Sequence, residues 1–232
     1  LYDPQSARTH IMQFLKSDIT VHFAFTPVTG QPFGPWYPVN QEKILFSILY
    51  YVLITGDKAI LDEEVLGKSI IDWVIWHATY RDDLTRPVSL VDYGNGNNHL
   101  ELRKQYRYDN YLPDLNLRRC SNYRAAAQLC KIAGKDYEYM LTRADELKDL
   151  IKEKLWDPDI KWFHNLDVNF GKHTRYTVQM FKTIAGGGLD AEEEKGLLSH
   201  LNEDEFLSEY GIHSMSKQDE AFDQIDIDNG GG

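Results

Sequence analysis

Two carboxylates stand nine residues apart in the segment LVDYGNGNNHLELR, Leu90 to Arg103: Asp92 and Glu101. Paired carboxyls suit general acid/base work, in which one group delivers a proton and the other takes one up. If the strip HLELR is extended, Leu100 and Leu102 face one side, while His99, Glu101 and Arg103 face the other. An acid beside leucines is drawn toward a raised pKa, which suits a proton donor; a paired Arg103 would pull it down. Glu101 is therefore the first candidate for the acid and Asp92 the second. The structural alternative is a surface contact between Glu101 and Arg103. Asn97 and Asn98 offer both donors and acceptors, as hydroxyl-rich ligands require. Turn chemistry is the competing reading of the asparagines, and Asn95 fits it better.

These residues sit in a connection of about thirty residues, Arg81 to Leu112, that has little helical pattern. Tyr, His, Arg and Leu recur through it, which is poor composition for disorder. The elements on either side are helical. Three segments share one layout, a helix, a glycine turn and a second helix, centred on Gly56, Gly134 and Gly186. Each glycine follows an Ile and a small residue: Ile54-Thr55, Ile132-Ala133 and Ile184-Ala185. Glycine there suits the left-handed position that ends a helix. An acid follows to start the next helix, Asp57, Asp136 or Asp190, and Asp190 with Glu193 has capping-box spacing. Ile44, Ile48, Tyr51 and Val52 recur at helical spacing, as do Leu141, Ala144, Leu147, Leu150 and Ile151. The N-terminal QSARTHIMQFLKSD adds another helix. TVHFAFTP and KWFHNLDV are short strands or extended loops. The expectation is an all-α chain of helical hairpins forming one domain over residues 1–232.

Composition excludes several classes. The chain of 232 residues carries 25 basic and 36 acidic side chains, a net charge of −11. From Leu189 onward there are 13 acids and 2 bases, so the first 188 residues hold 23 of each and are neutral. No basic stripe exists to track phosphates, so nucleic acid is not an expected partner. The longest apolar run, Ile44 to Thr55, is too short for a bilayer, so membrane insertion is not expected. Cys120 and Cys130 fall in one helix, roughly 15 Å apart along its axis, and are read as buried thiols. They do not fix the compartment; an extracytoplasmic setting is preferred to a cytoplasmic one. The histidines lack metal-ligand spacing, no serine nucleophile elbow occurs, and no cofactor is expected.

Two further segments are candidates. PFGPWYPVN, Pro32 to Asn40, is a proline-stiffened loop that presents Trp36 and Tyr37, either to stack on a sugar face or to pack across the hairpin tops. The acidic run SKQDEAFDQIDIDNGGG holds Asp219, Glu220, Asp223, Asp226 and Asp228. It does not fit the calcium-hand loop; a looser calcium site or a solvated acidic tail are its alternatives.

The stretch from Pro113 to Asp167 resembles the six-hairpin glycosidases, which include trehalase, processing α-glucosidase and mannosylglycerate hydrolase relatives. The phrases that carry the resemblance are Asp114-Leu115-Asn116 opening a helix, the turn at Gly134, and Leu155-Trp156-Asp157 before Trp162-Phe163. EYGIHSMS, Glu209 to Ser216, and GPWYPVNQEKILFSILYYVLITGD are similar to other segments of that superfamily. The resemblance implies an (α/α)6 toroid, here incomplete, and a glycoside hydrolase acting on an oligo- or polysaccharide, by an inverting mechanism. It places VDYGNGNNHLELR where relatives carry their catalytic acid, although the letters there differ from theirs. It also places Asp226 and Asp228 near substrate, and implies that the second catalytic carboxylate lies outside this chain. Asn97, Asn98, Arg103, Trp36 and Tyr37 complete the expected substrate contacts. Two other readings remain: a polysaccharide lyase using Tyr93, Asn98, His99 and Arg103 on a uronate-containing glycan, and a non-catalytic carbohydrate-binding fragment. Sequence leaves the oligomeric state open.

Overall fold

The computed structural model describes residues 3–82, 89–95 and 107–222. Two compact units form, one from Leu1–Pro87 with Ser121–Ala144, the other from Val88–Cys120 with Asp145–Gly232.

The first unit begins with helix α1 (Pro4–Lys16). Its start is fixed by Asp3, whose carboxylate accepts from the backbone N–H of Gln5 at 3.0 Å and of Ser6 at 3.2 Å, and by Pro4, which needs no partner there. A short antiparallel hairpin follows, β1 (Ala24–Phe25) with β2 (Pro32–Phe33). Helix α2 (Asn40–Thr55) buries Ile44, Leu45, Ile48, Leu49, Tyr51 and Val52, and packs on α1 and on α3 (Ile70–Ala78). It ends at Gly56 with φ 73°, whose N–H reaches Val52 O at 2.9 Å, so the left-handed stop is where the sequence places it. The next helix does not start at Asp57. That carboxylate accepts from the Tyr51 hydroxyl at 2.9 Å. A 3-10 turn (Ala59–Asp62) and a tight hairpin, β3 (Glu64–Val65) with β4 (Lys68–Ser69), intervene. Ser69 then caps α3 by accepting from Asp72 N. Helices α4 (Pro113–Ile132) and α5 (Glu138–Leu155) contribute to both units. Between them Gly134, φ 69°, closes the turn, and Asp136 accepts from Glu138 N at 3.2 Å. Cys120 and Cys130 are buried thiols outside any disulfide, as expected.

The second unit is built on Trp162, which is fully buried. Its ring meets Tyr176, Phe181, His200 and Phe206 at centroid distances of 4.8–5.7 Å. Its indole N–H donates to Arg175 O at 2.9 Å. Trp162 opens β6 (Trp162–Leu166), the middle strand of a three-stranded antiparallel sheet with β5 (Trp156–Asp157) and β7 (Lys172–Thr174). The strip after Leu155-Trp156-Asp157 is therefore a strand, and TVHFAFTP contains β1.

The third predicted hairpin is half corrected. Its second arm, α6 (Ala191–Ser199), carries the full Asp190–Glu193 capping box. Its first arm, Val178–Gly186, is a 3-10 helix, and the left-handed residue is Gly187 at φ 71°, one place after Gly186. The glycine run lets the turn close a residue late. A last hairpin pairs β8 (Leu207–Ser208) with β9 (Gly211–Ile212). The all-α expectation thus gives way to a mainly helical chain with small antiparallel sheets. Among the described residues no helix is long and apolar enough to cross a membrane.

Candidate functional site

The phrase Asp114-Leu115-Asn116 opens α4, and its polar members hold the connection that carries the candidate acids. Asn116 is fully buried. Its amide accepts from Val91 N at 2.8 Å and donates to Val91 O at 3.3 Å and Leu112 O at 2.9 Å. Arg119 donates to Ser89 O at 2.8 Å. Residues 89–95 are thereby fixed on the first turns of α4. Asp114, also buried, accepts from the Tyr108 hydroxyl and lies 3.8 Å from the Arg118 guanidinium. Burial, reinforced by Asp114, pushes the Tyr108 phenol well above its ordinary range, so it remains a donor.

The far end of the connection is tied down as firmly. Tyr93 N donates to Asn110 O at 2.9 Å, and Asn110 N to Gly94 O at 2.7 Å. Tyr111 bridges Leu166 of β6, and its ring stacks on Phe170 at 5.4 Å. Buried Asn165 donates to Arg107 O at 2.8 Å. Arg107 and Asn110 both have positive φ, 56° and 57°, a conformation that surrounding contacts must enforce.

Asp92 lies at this base. It is exposed, and its Oδ1 accepts from Gly94 N at 2.8 Å and from the Asn110 amide at 2.9 Å. One carboxylate oxygen thus closes the loop's neck. Glu101, Asn97, Asn98 and Arg103 fall between the two tethered ends and lie outside the described residues, as do Asp226 and Asp228.

Beside the neck a polar cleft of ≈ 320 Å³ opens in the second unit, with Arg107, Lys172, His173, Arg175, Asp219 and Glu220 among its lining residues. Arg175 is buried and pairs with Asp219 at 2.8 Å and with Glu220. Asp219 is buried too and accepts from Tyr176 N at 2.7 Å and Ala221 N at 2.8 Å, so its charge is fully engaged. Glu220 is exposed, and the hydrogen bond from Arg175 holds its carboxyl below the usual range. His173 hydrogen-bonds Asp167 at 3.0 Å, and that bond, with those from Gly171 N and Asn169 N, keeps the Asp167 carboxyl low. The cleft is therefore lined by charged side chains held in place by ion pairs. Among the described residues no group of three His, Cys, Asp or Glu side chains could hold a metal ion.

Trp36 and Tyr37 belong to the first unit. Both are half-buried. Trp36 packs edge-on against Tyr80 at 6.5 Å with the Arg81 guanidinium 4.3 Å from its centroid, and Tyr37 meets Phe23 at 5.4 Å. Sequence reasoning singled out neither Arg107 nor Arg175, and left Asp219 and Glu220 in an acidic run. The ion pairs of Arg175 link it to Asp219 and Glu220, 44 and 45 positions away.

The structure is similar to a GH78 family rhamnosidase of Bacillus sp. GL1, with a TM-score of 0.59 and 18% identity over 72% of this chain. The chain spans 17% of that enzyme's length. At this identity the likeness concerns the fold alone. The family is given by a second comparison: residues 62–230 match the mannosylglycerate hydrolase MGH1-like glycoside hydrolase domain, and the chain belongs to that family. No curated protein sequence matches it significantly. The resemblance to glycosidases read from Asp114-Leu115-Asn116 and the turn at Gly134 is borne out at the level of family.

Proposed function

We propose that this chain forms part of an (α/α)6-toroid glycoside hydrolase that cleaves an O-glycosidic bond of an oligo- or polysaccharide by carboxylate acid/base catalysis. Family membership supports the reaction class. The observation that carries the site is the tethering of both ends of the connection to the first turns of α4 and to β6, through Asn116, Arg119 and Asn165. Both ends of the segment that contains Glu101 are thus held, and acid catalysis requires a positioned proton donor. In this reading Glu101 is the general acid. Asp92 is second choice, because one of its oxygens already closes the neck. The cleft at Arg107 and Glu220 binds sugar hydroxyls, and the catalytic base is supplied from outside this chain. The lyase alternative draws no support at Tyr93, whose hydroxyl points to Leu115 O at 3.4 Å.

The test is Glu101→Gln and Asp92→Asn in the longest natural form of the protein, assayed on aryl glycosides and on glycans. Loss of a general acid is expected to lower turnover by about 10²–10⁴-fold for Glu101→Gln, with a smaller effect for Asp92→Asn. Full turnover in both variants would remove this site assignment. A rise in ultraviolet absorbance from an unsaturated product would indicate the lyase.

A further inference from the structure

A pocket of ≈ 270 Å³ in the first unit belongs to none of the machinery described above. Its lining includes Asp18, Thr20, Leu66, Trp73, Trp76 and His77. We propose that this pocket is a separate, non-catalytic binding site for a single pyranose residue of a glycan, with the Trp73 and Trp76 rings as its walls and Asp18, Thr20 and Lys68 as its polar rim.

The walls are fixed and of the right kind. Trp73 and Trp76 lie one helical turn apart on α3, half-buried, with their rings perpendicular at 88° and centroids 5.5 Å apart. Trp73 is locked by its indole N–H, which donates to Val65 O at 2.8 Å. His77 stacks on Trp73 at 5.8 Å and is 3% exposed. Burial depresses its pKa to about 4, so at neutral pH it adds an uncharged ring to the wall. Two indoles at right angles match a pyranose, which presents C–H groups on its face and hydroxyls around its edge.

The rim supplies what the edge requires. The Asp18 carboxylate, held by Thr20 N at 3.2 Å and the Thr20 hydroxyl at 2.6 Å, is an exposed acceptor. The Lys68 ammonium lies 4.7 Å and 5.4 Å from the Trp73 and Trp76 centroids. It marks the electron-rich ring faces, and its flexible stem can yield to a sugar ring while its head turns to a hydroxyl. Both rim loops hold unusual backbone. Asp18 has φ 43°, and Leu66 at the β3–β4 tip has φ 53° and is 70% exposed. A two-residue hairpin of this kind ordinarily takes Asn or Gly at the first position. A leucine there is disfavoured for folding alone, yet it places an apolar side chain at the mouth of the pocket.

The test reads binding rather than turnover, so its failure is separate from failure of the proposed hydrolase. The full chain is titrated with methyl glycosides of glucose, mannose, rhamnose and glucuronic acid, and with cyclohexanol as an apolar ring of similar size. The indole N–H resonances of Trp73 and Trp76, assigned with single Trp→Phe variants, are followed by NMR. The expected result is saturable movement of both resonances with at least one glycoside below about 50 mM, above the millimolar affinity expected of one stacked sugar, and none with cyclohexanol. Trp76→Phe, with its folding checked by thermal transition, should bind that glycoside severalfold more weakly. Absence of saturable movement with every glycoside, equal movement with cyclohexanol, or undiminished binding by a folded Trp76→Phe would each overturn the proposal.

Discussion

Asn116 and Val91 pair as two strand residues would: the side-chain amide accepts from Val91 N at 2.8 Å and donates to Val91 O at 3.3 Å. One buried side chain replaces a strand partner and so fixes a segment that has no sheet to join. Asn116→Ala would leave both backbone groups of buried Val91 without these bonds. The expected destabilisation is roughly 2–3 kcal/mol, read from the denaturation midpoint. Asn116→Asp should be at least as damaging, because a carboxylate cannot donate to Val91 O or Leu112 O. If both variants kept the wild-type midpoint, the tethering role would be wrong.

Gly196 sets two effects against each other. It lies inside α6, where replacing Gly by Ala ordinarily gains about 1 kcal/mol. A Cβ there would sit 2.6 Å from the Trp156 ring and 3.2 Å from Lys161 Cβ. Trp156 is itself buried against Phe163, with centroids 4.8 Å apart, and has little room to move. Overpacking of about 1–3 kcal/mol should therefore win, and Gly196→Ala should lower the thermal midpoint. A raised midpoint would show that the Trp156 ring yields more readily than its packing implies.

The features legible in the sequence are those that a few neighbouring residues determine. Gly56 and Gly134 stop helices because a left-handed residue is needed there, and Asp190 with Glu193 caps α6 within one turn. Asp57 misled because an acid after a glycine is a local cue, while its actual partner, Tyr51, is a core residue of the preceding helix. The first arm of the third hairpin carries helical spacing in its apolar residues and yet winds as a 3-10 helix. Arg175 with Asp219, and Asp82 with Tyr123 and Arg143, join residues 41 to 61 positions apart. No periodicity announces such pairs, so the cleft was only visible as an acidic run near the end of the sequence and an unremarked arginine 44 positions before Asp219.

His77 should leave a mark on the pH dependence of stability. Burial is the main cause of its depression from 6.5 to about 4, with Lys68 acting in the same direction and Asp18 opposing. Between these values the unfolded chain takes up a proton that the folded chain refuses. The contribution is therefore complete above about pH 6.5 and is lost as pH falls toward 4. It amounts to on the order of 3 kcal/mol. His77→Phe keeps a ring against Trp73 and has no proton to bind. The difference in unfolding free energy between wild type and this variant should change by that amount across the window. An unchanged difference would place the imidazole in contact with solvent.

Arg175, Asp219 and Glu220 allow structural and ligand-facing roles to be separated within one cluster. The Arg175 and Asp219 side chains are 3% and 0% exposed, whereas Glu220 is 61% exposed. Removing the guanidinium strands a buried carboxylate, so Arg175→Ala should cost about 3–5 kcal/mol. Glu220→Gln keeps the shape of an exposed side chain and should move stability by less than about 0.5 kcal/mol. If the cleft holds sugar hydroxyls, that variant should still lose about tenfold in kcat/KM, the equivalent of about 1.4 kcal/mol of binding to a charged acceptor. Thermal unfolding and hydrolysis kinetics measured on the longest natural form of the protein decide between the outcomes. A Glu220→Gln variant with full kcat/KM would move the substrate away from this cleft and leave Arg175 and Asp219 as a purely structural pair.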